Sequence, residues 1–211
     1  MNRIGWIIFS AIVILLIGGL VAMNKLNQAN TPKSNGSNNA IGKLDSQVIL
    51  TEFVDFQCEA CYAYYPTIKQ IKEKYKDSVR FQIRYFPLSS SHKFARLAAS
   101  YAESAAIQGK FWQMHDLIFE GQKQWEAVSD PTTYFDGYAE QIGLNLEKLK
   151  ADRTSEEVTA TINADIAAVR AIGGQGTPTF VLNNKRIEKI DNTVEAFSKL
   201  LDDELAAVNK N

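Results

Sequence analysis

Val48-Ile49-Leu50-Thr51-Glu52-Phe53-Val54-Asp55-Phe56-Gln57-Cys58-Glu59-Ala60-Cys61 joins an apolar, β-rich run to the only cysteine pair in the chain. Its β-branched and aromatic residues suit a strand, and a Cys-x-x-Cys spacing suits the first turn of a helix. Where a strand hands over to a helix, the first sulfur stands at the helix N-terminus. Unpaired backbone N–H groups and the helix dipole there favour a thiolate. The second sulfur falls one turn further in, within reach of a disulfide, and a ring that small restrains the unfolded chain very little. The pair therefore reads as a redox centre and not as a staple. The same motif is also half of a zinc site, but a closed site takes four N or S ligands and the chain adds only His92 and His115.

A second stretch, Gly173-Gly174-Gln175-Gly176-Thr177-Pro178-Thr179-Phe180-Val181-Leu182, sets a Thr-Pro bond between a glycine loop and a β-branched, aromatic strand. Proline has no N–H for a ladder, so it belongs at a strand start, and only a bond before proline is readily cis. Alongside the cysteines, a cis bond is expected before Pro178.

Strand, CxxC, helix, a long helical stretch, then Gly-Thr-Pro-Thr-Phe and a terminal strand-turn-strand-helix resembles the DsbA-like thiol-disulfide oxidoreductases of the thioredoxin superfamily, over about residues 44 to 208. The likeness rests on Cys58 and Cys61, Pro66 in the first helix, Glu52 on the preceding strand and Thr177-Pro178, supported by Phe111-Trp112-Gln113-Met114-His115-Asp116. It implies an α/β, thioredoxin-like fold with a helical insertion at about 88–172. Cys58 is then the nucleophile and Cys61 the resolving thiol. Glu52 is a buried acid that relays a proton, while Thr177 and Pro178 bind an extended partner segment. Glu59 departs from the pattern, since many relatives have proline after the first cysteine. A carboxylate beside Cys58 disfavours its thiolate, which makes Glu59 a tuning residue. The implied activity is that of an exported dithiol oxidase. It introduces disulfides into unfolded or reduced exported proteins, is reoxidised by a membrane quinone-linked enzyme, and needs no cofactor or metal. A reductase or isomerase in the same compartment, and a CxxC metal-delivery module, are the alternatives.

The N-terminus bears on where this chemistry happens. Ile4 to Met23 carries no charge, follows Arg3 and precedes Lys25. About twenty apolar residues suffice to span a bilayer, whereas a secretory h-region is usually shorter. Residues 1–23 therefore read as a transmembrane signal anchor, with a cleaved signal as the alternative and the domain exported in either case. Asn24 to Asn39 is rich in Asn, Ser, Gly and Lys and almost free of apolar residues. It reads as a flexible tether, with residues 24–43 as linker and 44–211 as one domain.

Within that domain, alternation over Val79–Phe86 predicts a strand ending at Pro87. Apolar residues at helical spacing follow from Phe94 to Ala105 and from Val158 to Ile172. Asp130 before Pro131, and Thr154 with Glu157 as a capping box, predict helix starts. Later strands are expected at about 178–183 and 186–190, and a last helix from near Asn192. A net charge of −1 leaves no electrostatic footprint for nucleic acid.

Overall fold

The computed structural model describes residues 12–19, 34–208 and 210, and the chain divides into two compact units between Lys33 and Ser34. In the first unit, residues 12–19 are helical. Among the described residues no helix is long and apolar enough to cross a membrane. The rest of the expected anchor and linker residues 24–33 lie outside the described residues.

The second unit opens with β1 (Asn39–Gly42), β2 (Ile49–Val54), α1 (Glu59–Lys74) and β3 (Arg80–Tyr85). A helical block follows: α2 (Ala95–Ile107), α3 (Phe111–Glu120), α4 (Gln122–Trp125), α5 (Thr132–Gln141), α6 (Leu146–Asp152) and α7 (Glu156–Ala171). Then come β4 (Thr179–Leu182), β5 (Lys185–Arg186) and α8 (Val194–Val208). The strands form one sheet in the order β1-β3-β2-β4-β5. Crossing over through α1 makes β2 and β3 parallel, with Glu52 level with Ile83, and the other pairs are antiparallel. The fold is thus the expected thioredoxin-like α/β architecture with a helical insertion.

Central β2 is covered on both faces, which is why its sequence is nearly continuous in apolar residues. On one face, Ile68 and Ile71 of α1 and Phe197 and Leu201 of α8 close over Leu50, Phe81 and Phe180. On the other, Val169 of α7 meets Phe53 and Val181. The remaining helices pack against Val54, Phe56 and Tyr85 at the end where β2 leaves the sheet. Small residues on α2, Ala98, Ala99, Ala102 and Ala105, let that packing be close.

Three boundaries differ from expectation. Residues 34–42, assigned to the linker, belong to the folded unit. Ser37 is buried, and Asp165 accepts its N–H at 3.0 Å and its hydroxyl at 2.6 Å. Gly36 sits at φ +91°, where a Cβ would run into Arg84 and Asp165. The start of α7 is capped one residue later than the expected Thr154, by Ser155, whose Oγ accepts from Val158 N. Strand β5 stops at Arg186 and not near 190; Asn183 and Asn184, both left-handed, make the tight turn before it. At Asp130 the expected start is found, its carboxylate accepting the Thr132 N–H at 3.0 Å.

Candidate active site

Where β2 ends, Asp55 organises the next turn. Its buried carboxylate accepts from Gln57 N at 2.8 Å and Leu88 N at 2.8 Å, and meets His92 Nδ1 at 2.7 Å. Its carbonyl accepts from Cys58 N at 3.1 Å. Cys58 is then the extended N-cap of α1 and makes no side-chain cap bond. Its sulfur therefore faces amides that a capping oxygen would otherwise occupy.

The two sulfurs are opposites. Cys58 is pulled down to about 5, first by a hydrogen bond from the Cys61 side chain and then by the Thr177 side chain and the N–H groups of Cys61 and Ala60, with burial opposing. Cys61, 1% exposed, is pushed up, first by burial and then by its bond to Cys58 and the charges of Glu52 and Cys58. A low-pKa thiolate beside a protonated thiol is an arrangement for stepwise thiol exchange.

Beneath the pair, Glu52 points into the sheet–α1 layer, and burial raises it to about 8 against the lowering charge of Lys72. The two line a void of about 10 Å³ with Trp112, the space one water needs. Lys72 Nζ lies 4.2 Å from the Trp112 ring centre. Thr177 and Pro178 approach through a cis bond, and Cys58 Sγ lies 3.4 Å from the Thr177 carbonyl oxygen, to which it donates only when protonated.

The fold thus brings Cys58, Cys61 and Thr177-Pro178 together, with Glu52 near enough to Cys61 to raise it. Glu59 is elsewhere. Its side chain is 85% exposed, and its carboxylate lies 3.5 Å from Lys123 Nζ. His115 is buried among Phe56, Phe111, Trp112 and Phe119, and burial lowers it to about 4. Tyr64 donates to Ile190 O and Tyr65 to Glu120, which makes both part of the packing around α1. Among the described residues no group of three or more His, Cys, Asp or Glu side chains is disposed to hold a metal.

Asp55, Lys72 and Gln122 were missed from sequence. Gln122, 0% exposed at the start of α4, donates to Phe56 O at 2.7 Å and Cys58 O at 3.3 Å. No motif or periodicity marks it; only the folded insertion brings it to the cysteines.

A thioredoxin family pattern matches residues 34–203. Among solved structures, the chain is similar to oxidised BdbD from Bacillus subtilis, at 24% identity and TM-score 0.68, covering 79% of this chain and 92% of that one. It is also similar to alpha-DsbA1 from Wolbachia pipientis, at 18% identity and TM-score 0.70, covering 86% and 96%. Among curated proteins, Na(+)/H(+) antiporter NhaA 3 of Salinispora tropica is 32% identical over 145 residues, 69% of this chain and 21% of that protein. The chain thus spans about a fifth of the length of the curated relatives it matches.

Proposed function

The chain belongs to the thioredoxin family, and from that premise we propose that it is an exported thiol-disulfide oxidoreductase whose Cys58–Cys61 pair introduces disulfides into reduced, unfolded exported proteins. The observation that carries this reading is the opposition between the sulfurs, Cys58 held near 5 and Cys61 held high.

In the oxidised enzyme a client thiolate attacks Cys58 Sγ. The Cys58–Cys61 bond breaks, and Cys61 leaves with the electron pair and takes up a proton. Its raised pKa makes that uptake favourable, and Glu52, near 8, is a proton source at neutral pH. A second client thiolate then attacks the client sulfur of the mixed disulfide and expels Cys58. A thiol with a pKa near 5 leaves readily as thiolate. The client is oxidised by two electrons and the pair reduced by two. Stabilising the Cys58 thiolate stabilises the reduced enzyme, which makes the disulfide oxidising and favours the oxidase direction.

Thr177 offers backbone groups to an extended client segment beside Cys58, and Pro178 stands over the sulfurs. In this reading reoxidation falls to a membrane quinone-linked enzyme, and the apolar run before the domain supports chemistry at the outer side of the membrane. Equilibration of residues 34–211 with glutathione, together with the in-cell redox state of the pair, tests the direction. A potential above that of glutathione and a pair oxidised at rest are expected. A pair that rests reduced overturns the oxidase reading in favour of a reductase.

A further inference from the structure

The turn that presents Cys58 is held from outside, by the helical insertion. Phe94 N donates to Gln57 Oε1 at 2.6 Å, and His92 meets Asp55 at 2.7 Å. Both ties act on residues before the cysteine. Gln122 instead touches Cys58 itself, spending one amide hydrogen on the Phe56 carbonyl and the other on the Cys58 carbonyl. The Phe56 carbonyl lies past the end of β2 and has no other hydrogen-bond donor among the described residues. The Gln122 Oε1 atom is buried with no partner.

Burying an amide with its acceptor unsatisfied is unfavourable, a loss that the two donor bonds of Gln122 must offset. The Cys58 carbonyl also accepts the first helical bond, from Tyr62 N at 3.0 Å. Fixing that carbonyl fixes the Cys58–Glu59 peptide plane. That plane is the first of α1, and the helix it starts carries the Ala60 and Cys61 N–H groups that stabilise the Cys58 thiolate.

We propose that Gln122 is a positioning residue for Cys58: its buried amide, clamped on the Phe56 and Cys58 carbonyls, aims the first amides of α1 at the sulfur and so couples the helical insertion to the nucleophile. The proposal rests on the redox reading of the pair. It assigns the insertion a share in setting the thiolate, beyond covering the sheet.

The test is the pH dependence of Cys58 alkylation in residues 34–211, read by mass spectrometry so that Cys58 and Cys61 are separated. Gln122→Met keeps the side chain's length and removes both donors. It should raise the Cys58 transition by about one unit, which at pH 4 is about a tenfold loss of rate because the thiolate fraction falls tenfold per unit below the pKa. Gln122→Glu should fall between wild type and Gln122→Met in rate at pH 4, where the protonated acid regains one donor; if Gln122→Met does not fold, this variant carries the comparison. Trp125 lies on the same short helix as Gln122; Trp125→Phe removes its Nε1 bond to Ile118 O of α3, and should lower Tm while leaving the Cys58 profile in place. A wild-type profile in Gln122→Met, or an equal shift in Trp125→Phe, overturns the proposal. An ordinary thiol transition for Cys58 in the wild-type chain overturns the redox reading itself, and the proposal with it.

Discussion

Cys58 Sγ lies 3.4 Å from the Thr177 carbonyl oxygen, across 119 positions of sequence. The contact follows from strand direction. Because β2 and β4 are antiparallel, with Phe53 opposite Thr179, the segment leaving β2 and the segment entering β4 share one end of the sheet. A client strand lying along Thr177 would therefore present its sulfur to Cys58 and not to Cys61, which is 1% exposed.

That geometry separates the two cysteines in experiment. Cys58→Ser should abolish exchange with a reduced, unfolded test protein, whereas Cys61→Ser should accumulate mixed disulfides through Cys58, seen on non-reducing gels. The same asymmetry has a pH signature. Cys58 is depressed from 9.0 to about 5 on folding, so the stability it gives the reduced enzyme is fully present above pH 9 and lost as pH falls towards 5. The disulfide form lacks this contribution. The reduced-minus-oxidised difference in Tm should thus grow between pH 5 and 9, and a flat difference would contradict a folded-state thiolate.

Glu52 titrates with the opposite sign. Raised from 4.5 to about 8, it binds more protons folded than unfolded, so stability is fully present below pH 4.5 and lost as pH rises through 8. Glu52→Gln should flatten that decline in urea denaturation at pH 5 and pH 8.5, and slow the step in which a client thiolate attacks Cys58 and Cys61 leaves. Lys72→Met removes the cation that lowers Glu52 and should move the transition higher still.

Local signals made the strand before the cysteines, the β3 strand, the helical block and the Thr-Pro bond legible, because periodicity and proline chemistry are properties of short windows. Lys72 and Gln122 had no such signal. Each works on a partner that the fold, and not the sequence, brings near. The domain boundary failed for a different reason. Ser34-Asn35-Gly36-Ser37-Asn38-Asn39 has the composition of a tether whether its polar groups bond to water or, as here, to the buried Asp165 and Tyr85 and the half-buried Glu103.

Asp165 tests that boundary. Its fully buried carboxylate holds Ser37, Arg84 Nε at 2.6 Å and Tyr85 N at 2.9 Å. Asp165→Asn leaves the half-buried Arg84 without its anion and should cost up to about 3 kcal/mol, the low end of the penalty for breaking a fully buried pair. Limited proteolysis should then cut within residues 34–39. Protection equal to wild type would show that this segment is held by something other than Asp165.

Glu59 gives the remaining prediction. Taken alone, a carboxylate next to Cys58 should disfavour its thiolate and make the enzyme a weaker oxidant. In the structure that carboxylate is largely exposed and stands 3.5 Å from Lys123 Nζ, which also lies 5.6 Å from the Tyr62 ring centre. Exposed pairs are screened by water and salt, so each charge offsets much of the other's field at the sulfur. Glu59→Gln alone should therefore raise the reduction potential by less than about 30 mV, the equivalent of 1.4 kcal/mol for a two-electron couple. In a Lys123→Gln background the carboxylate loses its partner, and the same Glu59→Gln change should raise the potential by more. The four proteins of this cycle, equilibrated with glutathione at low and at physiological salt, decide the matter. Equal effects of Glu59→Gln in both backgrounds would mean that Lys123 does not shield the site, and that any tuning by Glu59 is independent of the pair.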